Sequence, residues 1–387
     1  MKRCLLVCQS QDGSYINLIS EALKRAGYAL TVMTGKQTDI APDITIVEAP
    51  GYNSTSFVSR FKTWHAYVKA AKRYLKANLD RFDAVMFTSN PPINQGLVRY
   101  VQRHGKPCVY LVWDIYPDVI ERSFGKKAAP ITALWRRRNR RMYAKCASVL
   151  TIGEVLKQRI EANYPGLSVR VIPYHTDTAF IRPIPTEENE FIAQNPILRD
   201  KKVFMYSGKM GFGHGFDEML TVAEELKQRE DIVFLFVGHG AAYADIEQRI
   251  ADRGLTNALI LPYQPLSMLP HSLGCADVSF ITIKEQTDGL FLPSKVYDAM
   301  ASGSAIVCIS GGNNDVAHMM SDCGIGISVK TGSADELRAA VLKLADDEAY
   351  LRECQKNARE LAVAEYDIAR VTEQYAALFL EILGDTV

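Results

Sequence analysis

The chain has 387 residues, of which 48% are hydrophobic and 23% charged, and this length predicts two domains rather than one core. It contains no run of about 18 uncharged apolar residues, so no membrane-spanning helix is predicted, and the apolar run at residues 4–8 is too short for a signal peptide. The net charge is only +1, but residues 1–190 carry 28 Lys and Arg against 16 Asp and Glu. This asymmetry predicts different partners for the two halves.

Strand-like apolar runs alternate with helical patterns along the first 180 residues. Alternation of this kind predicts a parallel sheet that helices cover on both faces. A dinucleotide-binding enzyme is not expected, because the turn after the first strand reads QSQDGSY and has only one glycine. The predicted elements are strand 4–8, helix 16–27, strands 29–33 and 43–49, helix 57–79, strand 83–89, helix 94–104, and strands 107–114, 147–153 and 169–174.

A stretch rich in proline and acidic residues predicts a linker at 181–200, after which the alternation restarts. The sequence therefore predicts an α/β protein with two Rossmann-like, doubly wound domains at 1–180 and 201–365. A C-terminal segment, 366–387, is expected to pack on the first domain. The predicted elements are strand 202–208, helix 216–229, strand 232–238, helix 242–253, strands 257–263 and 276–283, helix 294–302, strands 305–310 and 324–329, and helices 333–345 and 368–383.

The eight cysteines form no Cys-x-x-Cys pair, and several lie inside apolar strand-like runs. We interpret them as small buried side chains of a reduced protein. No tight cluster of cysteine and histidine is found, so no zinc site is predicted.

The segment YSGKMGFGHG, at residues 206–215, joins a predicted strand to a predicted helix. Its four glycines allow main-chain N–H groups to approach a ligand, while Lys209 and the helix N-terminus add positive charge. The segment is therefore suited to holding a diphosphate. The alternative is that the glycines serve only the geometry of the turn.

The segment LPSKVYDAMASG, at residues 292–303, predicts a helix in which Lys295 and Asp298 share one face. A lysine at a helix N-terminus is unfavourable unless an anion lies there too. An aspartate three residues later could accept hydrogen bonds from a ribose diol. The spacing fits one nucleotide ligand, and the alternative is a solvated Lys/Asp pair on an exposed helix.

Polar residues also follow several other strands, at the edge where open α/β sheets bind ligands. His239 and Tyr263 follow strands of the second half, and Asp114 ends a strand of the first half. His239 could equally be a polar turn residue. Asp114 could equally be a helix cap or part of a loop ion pair.

Two basic segments lie in the first half. Residues 126–145 hold eight Lys and Arg and no acidic residue, and residues 57–81 hold seven against one. Basic amphipathic helices that carry Trp and Phe lie at anionic membrane surfaces, although a solvated helix face is the alternative. The predicted membrane or acceptor face consists of Trp135, Arg136, Arg137, Arg138, Arg140 and Arg141.

Five motifs between about residues 200 and 365 resemble, in order and spacing, those of the family 4 glycosyltransferases, which have the GT-B fold of two facing Rossmann-like domains. They are YSGKMGFGHGF, FVGHG, LPYQP, CADVSFITI and PSKVYDAMASG. In the first half, WDIYPD at 113–118 and VIPYHTD at 171–177 resemble the family's N-domain and linker signatures. The chain is most similar to the branch that acts in bacterial O-antigen, capsule and exopolysaccharide assembly.

The resemblance implies retaining transfer of a sugar from a nucleoside-diphosphate sugar, usually UDP-linked, to a glycan or polyprenyl-diphosphate-linked acceptor. It implies no metal or other cofactor and a cytoplasmic enzyme held peripherally at the inner face of the cell membrane. A lipid-linked acceptor favours a membrane over a nucleic acid as the partner of the basic segments. The alternatives are a sugar-nucleotide epimerase and a non-catalytic scaffold of the same fold.

The resemblance also assigns roles to residues. The first domain would bind the acceptor and the second the donor, with Asp114, Lys209 and Lys295 as catalytic residues. Leu290 stands where the family has the first acid of its Glu-x7-Glu motif, so Asp288 or the main-chain amides of 289–291 are candidates to replace that acid. The implied donor-binding residues are Gly208, Lys209, Gly211, His214, His239, Tyr263, Asp288, Leu290, Ser294, Lys295 and Asp298.

Overall fold

The computed structural model describes residues 1–53, 55–211 and 214–383, and the chain divides into two compact units. The first unit comprises Met1–Pro173 and Ala369–Val387, and the second comprises Tyr174–Ile368. The predicted linker, 181–200, therefore lies inside the second unit.

The first unit contains a seven-stranded parallel sheet with the strand order β3-β2-β1-β4-β5-β6-β7. The inner strands are buried along most of their length, as expected where helices cover both faces. The strands are β1 (Lys2–Val7), β2 (Tyr28–Thr34), β3 (Thr45–Glu48), β4 (Ala84–Thr88), β5 (Cys108–Val112), β6 (Ser148–Thr151) and β7 (Val169–Val171). The helices are α1 (Gly13–Arg25), α2 (Phe57–Asn78), α3 (Gln95–Arg103), α4 (Asp118–Phe124), α5 (Ala129–Tyr143) and α6 (Glu154–Asn163).

The second unit contains a six-stranded parallel sheet with the order β10-β9-β8-β11-β12-β13. Its strands are β8 (Lys202–Lys209), β9 (Ile232–His239), β10 (Ala258–Leu261), β11 (Val278–Thr282), β12 (Ala305–Ser310) and β13 (Gly326–Lys330). Its helices are α7 (Glu190–Gln194), α8 (Phe216–Glu225), α9 (Tyr243–Asp252), α10 (Leu269–Leu273), α11 (Lys295–Ala301), α12 (Asp315–Cys323), α13 (Ala334–Asp346) and α14 (Glu348–Leu361).

The predicted α/β fold with two doubly wound, Rossmann-like sheets is confirmed. In each sheet the strand order reverses beside the unit's first strand, between β1 and β4 and between β8 and β11. Open α/β sheets bind ligands at the carboxyl ends of the strands beside such a reversal. Six of the eight cysteines are buried, while Cys146 is partly buried and Cys323 is exposed. Across the described residues, the helices all fall short of the length and apolar character needed to cross a membrane.

The last helix, α15 (Ile368–Leu383), packs within the first unit. The hydroxyl groups of Tyr15 and Tyr375 lie 2.9 Å apart in a buried contact, and the Tyr28 hydroxyl donates to the carbonyl oxygen of Leu383 at 2.8 Å. Phe379 of this helix is fully buried. The helix therefore supplies core side chains to a unit whose other residues all precede position 174.

We expect Phe379→Ala to destabilise the first unit by about 3–5 kcal/mol, because it removes a fully buried aromatic ring and leaves a cavity. The neighbouring Leu380 is 52% exposed, so Leu380→Ala should change the free energy of unfolding by no more than about 0.5 kcal/mol. Urea denaturation of both variants measures the difference. Equal effects would contradict the packing of α15 described above.

Candidate active site

A cavity of about 210 Å³ lies in the second unit at the carboxyl edge of its sheet, beside the reversal between β8 and β11. It brings together four of the predicted residues, Gly208, Tyr263, Lys295 and Asp298. Its lining residues are Ser207, Gly208, Val237, Tyr263, Gln264, Leu269, Ser272, Leu273, Ser279, Phe280, Ile281, Lys295, Asp298 and Ala299.

The ammonium group of Lys295 is strongly perturbed by its surroundings in this cavity. Its Nζ atom lies 3.7 Å from the centroid of the Tyr206 ring, a cation–π geometry. Burial lowers the pKa of the Lys295 ammonium to about 7, because the charged form loses hydration. A bound anion would favour the charged form again and raise this pKa.

Tyr206 links the lysine to the glycine-rich turn. Its hydroxyl donates to the carbonyl oxygen of Lys209 at 2.8 Å and lies 3.3 Å from Nδ1 of His214. The same nitrogen lies 3.2 Å from Oγ1 of Thr282, at the end of β11. The ring and hydroxyl of one tyrosine therefore fix the relative positions of the predicted phosphate-binding residues.

The imidazole of His214 lies in a strongly positive environment. Burial, together with the charges of Lys284, Lys295 and Lys209, lowers the pKa of His214 to about 4. The imidazole is thus neutral near pH 7 and surrounded by cations. Such a concentration of positive charge is suited to an anion.

Close contact between the ends of β8 and β9 shapes the floor of this turn. A Cβ atom added to Gly238 would lie 1.9 Å from the carbonyl oxygen of Gly208, and one added to Gly240 would lie 2.1 Å from that of Met210. Both glycines also have positive φ angles, 154° and 156°. Only glycine allows the two strand ends to approach in this way.

Gly211 packs against the ring of His214, since a Cβ atom there would lie 3.1 Å from Nε2. Gly215 caps the N-terminus of α8 with a φ of 71°. The remaining glycine of the predicted turn, Gly213, lies outside the described residues.

Asp298 is oriented by a residue far away in the sequence. Oγ1 of Thr176 donates to its Oδ1 atom at 2.7 Å. Two main-chain hydrogen bonds hold Thr176 in place. The Thr176 N–H donates to the Tyr366 carbonyl at 2.8 Å, and the Ile368 N–H donates to the Thr176 carbonyl at 2.9 Å. Ser294 precedes α11 and makes no side-chain cap bond.

The two residues considered for contacts to a donor sugar, Asp288 and Leu290, make contacts inside the second unit instead. The buried carboxylate of Asp288 accepts hydrogen bonds from the Asn313 N–H at 2.9 Å and from Nδ2 of Asn314 at 2.6 Å. The Leu290 side chain is fully buried, and its N–H donates to the Thr287 carbonyl at 3.0 Å. Asp288 therefore holds the loop that leads into α12.

His239 and Tyr263 lie at the outer part of this edge. His239 is exposed at the end of β9, and its ring centroid lies 5.5 Å from that of Tyr243. It does not line the cavity, whereas Tyr263 does and is 55% exposed.

Asp114 lies in the first unit, two residues after the end of β5. Its N–H donates to Oγ of Ser89 at 3.3 Å, and the Trp113 N–H donates to the same atom at 2.9 Å. Burial raises the pKa of the Asp114 carboxyl to about 6. The group can therefore change protonation state near neutral pH.

Some residues of the basic segment of α5 form ring contacts or ion pairs within the protein, and the others are exposed. Trp135 stacks on Tyr116 with ring centroids 6.0 Å apart, and Arg136 forms ion pairs with Asp118, at 2.8 Å, and with Glu121. These two predicted residues take part in internal contacts. The exposed members of the predicted face are Arg137, Arg138, Arg140 and Arg141.

Two family models together match most of the chain. The model described as Glycosyltransferase Family 4 matches residues 13–180, and the one described as Glycosyl transferases group 1 matches residues 187–361. The chain is a family 4 glycosyltransferase. Its second unit contains the cationic turn and the cavity, and the match to that unit favours transfer over the epimerase and scaffold alternatives.

Individual relatives of this glycosyltransferase are distant. It is 25% identical over 335 residues to the glycosyltransferase WbjE of Pseudomonas aeruginosa, covering 82% of each chain. It is 25% identical over 189 residues to WcaI of Escherichia coli, named as a colanic acid biosynthesis glycosyl transferase, covering 48% of this chain and 46% of that one. The structure of HepE from Anabaena in complex with UDP and glucose has a TM-score of 0.71 and 14% identity, covering 98% of this chain and 100% of that chain. This likeness supports the GT-B fold.

Three residues of the candidate site were missed by the sequence analysis. Lys284 comes two residues after β11, so the rule that selected His239 and Tyr263 could have found it. Tyr206 was considered only as part of the segment at residues 206–215. Thr176 belongs to the VIPYHTD motif, but nothing local indicates its bond to Asp298.

We expect Gly238→Ala to lower the free energy of unfolding by at least about 2 kcal/mol, since the new methyl group would overlap the Gly208 carbonyl. Gly254 is the matched control, because its φ of 58° is also positive but a Cβ atom there meets nothing within 4 Å. Gly254→Ala should cost only about 1 kcal/mol. Equal losses in urea denaturation would show that the close approach of β8 and β9 does not constrain the site.

Proposed function

We propose that this glycosyltransferase moves a sugar, with retention of anomeric configuration, from a UDP-sugar to a polyprenyl-diphosphate-linked glycan in bacterial surface polysaccharide synthesis. The observation that carries the proposal is the convergence of Lys209, Lys284 and Lys295 on His214, at the turn beside the cavity that contains Asp298. Three cations around one turn match the charge of a diphosphate. An adjacent carboxylate matches the hydroxyl groups of a ribose.

Lys295 and Lys209 would stabilise the negative charge that develops on the departing diphosphate, which is commonly the largest catalytic effect in such a site. Lys295 is suited to this role because burial makes its charged form unfavourable in the unliganded protein and its ammonium lies against the Tyr206 ring. The diphosphate would therefore gain a strong, charge-assisted contact. We expect no metal ion to be needed, because the lysines supply the positive charge.

The remainder of the cavity is suited to the nucleoside. Asp298, held by Thr176, would accept hydrogen bonds from the ribose hydroxyls. Leu269, Leu273 and Tyr263 offer apolar and aromatic surface to a flat base. The complexes of HepE with UDP and with UDP-glucose support a uridine nucleotide as the donor's leaving group.

Contacts to the transferred sugar would differ from the family pattern. Leu290 offers no polar side chain, and the carboxylate of Asp288 is bound by Asn313 and Asn314. The main-chain amides of residues 289–291 remain candidates, although the Leu290 N–H already donates to Thr287. We propose that the donor is a hexose or N-acetylhexosamine.

On the acceptor side, we propose that Asp114 contacts the attacking hydroxyl and that the departing phosphate takes its proton. The name of WcaI refers to colanic acid biosynthesis, which supports a surface polysaccharide as the product. The first unit also exposes Ile131 (68%) and Leu134 (50%) beside the arginines of α5. Apolar side chains among bases favour peripheral binding at the cytoplasmic face of an anionic membrane.

Lys295→Met should weaken UDP binding by at least about tenfold, because one charge-assisted contact to the diphosphate is lost. Isothermal titration calorimetry measures the affinity. Lys227→Met is the matched control, since Lys227 is exposed and follows the far end of α8. Unchanged UDP affinity in folded Lys295→Met would contradict the proposed site, and preference for GDP or dTDP would contradict the UDP donor.

The pH dependence of the same measurement tests the protonation of Lys295. With a pKa of about 7 in the unliganded protein, Lys295 is mostly neutral at pH 8, whereas a bound diphosphate favours its charged form. UDP binding at pH 8 should therefore take up about one proton, and the affinity should fall as the pH rises above 7. Titrations in two buffers of different ionisation enthalpy measure the uptake. The variant Lys295→Met should show no such proton uptake on UDP binding.

Asp114→Asn should lower turnover by at least about tenfold while leaving UDP affinity unchanged, since its expected contact is to the acceptor. In the wild type the rate should rise with pH through about 6, as the carboxyl group loses its proton. Initial rates with a saturating donor measure both effects. A loss of UDP affinity equal to the loss of rate would contradict the assignment.

A further inference from the structure

A second cavity, of about 470 Å³, lies in the first unit between α3 and α5. Four of its six lining residues are cationic, two from each helical segment. We call it the basic pocket. Its lining residues are Arg99, Gln102, Arg103, Arg141, Ala144 and Lys145.

The four cations of the basic pocket have no carboxylate partner in the described residues. Arg99 and Arg103 are four residues apart on α3, whereas Arg141 lies in the last turn of α5 and Lys145 lies two residues after that helix ends. Like charges four residues apart on a helix repel each other. The pocket therefore holds concentrated positive charge that the protein itself does not neutralise.

Gln102 forms the floor of the basic pocket. Its Nε2 atom donates to the Met142 carbonyl at 2.9 Å and so ties α3 to α5. Its Oε1 atom is buried with no hydrogen-bond partner in the described part of the chain. The Gln102 amide therefore links the two helical segments that carry the cations of the pocket.

The basic pocket is remote from the end of β5 where Asp114 lies. Lys145 precedes β6, and the Ala147 N–H donates to the carbonyl of Cys108, the first residue of β5, at 2.8 Å. Asp114 follows the opposite end of β5, a strand that spans roughly 16 Å. A ligand in the pocket would therefore not take part in chemistry at Asp114.

We propose that the basic pocket is a second anion site, which binds a phosphate group that is not transferred. Three guanidinium forks and one ammonium match a phosphate carrying more than one negative charge, whereas a single carboxylate would neutralise only one cation. The volume falls in the range of about 300–1,000 Å³ that small-molecule sites occupy.

Two sources carry this chemistry, a lipid headgroup and a soluble phosphate. The exposed stripe of α5 favours the lipid, because Ile131, Leu134, Arg138 and Arg141 follow one another at helical spacing. Its apolar end could enter the interface while its basic end holds the headgroup phosphate.

The rate at which Lys145 is acetylated, measured by peptide mass spectrometry, tests the basic pocket because Lys145 is one of its lining residues. This measurement does not depend on the proposed UDP site. Pyrophosphate should slow this acetylation roughly tenfold, because a bound anion would form an ion pair with the amine and block its reaction with the reagent. The exposed Lys69 of α2 reports on general effects of the salt and should react at an unchanged rate. The same experiment with phosphatidylcholine vesicles that contain phosphatidylglycerol tests the lipid source.

The double variant Arg99→Gln/Arg141→Gln should lose the protection of Lys145. The matched control, Arg137→Gln/Arg138→Gln, removes two exposed charges of α5 that do not line the pocket and should keep the protection by pyrophosphate. Protection by vesicles assigns a lipid phosphate, and protection by pyrophosphate alone assigns a soluble one. Failure of both probes to protect Lys145, or an equal loss of protection by pyrophosphate in the two double variants, would overturn the proposal.

Discussion

The contact between the Lys295 ammonium and the Tyr206 ring is the interaction on which the proposed donor site depends. Burial lowers the pKa of this ammonium, so a bound anion would stabilise its charged form. The same tyrosine also fixes Lys209 and His214 through its hydroxyl. One tyrosine thus contacts the Lys295 ammonium with its ring and helps to fix the geometry of the turn with its hydroxyl.

The strand ends around this contact are held by main-chain packing rather than by polar side chains. Gly238 and Gly240 allow the end of β9 to pack closely against the carbonyl groups of Gly208 and Met210, so a side chain at either position would displace the turn. This packing matters because electrostatic stabilisation is greatest where the charges need not reorganise when the ligand arrives. The polar residues Asp288, Asn313 and Asn314 stiffen the neighbouring loop in a similar way.

Local patterns were enough to predict both sheets, because each buried strand is an apolar run between turn residues. They also predicted that Lys295 and Asp298 would be neighbours, since helix geometry fixes residues three apart. Helix α14 was not predicted, because its buried stripe is narrow and consists of Leu351, Cys354 and Ala358. The Thr176–Asp298 bond could not be predicted either, because tertiary folding brings together residues that are 122 positions apart.

The placement of α15 has a consequence for the newly made chain. Tyr375 and Phe379 belong to the core of the first unit, yet all of the second unit is translated before them. While the ribosome is still making the second unit, the surface of the first unit that α15 covers stays open to water. The core of the first unit can therefore be completed only after the whole of the second unit has been translated.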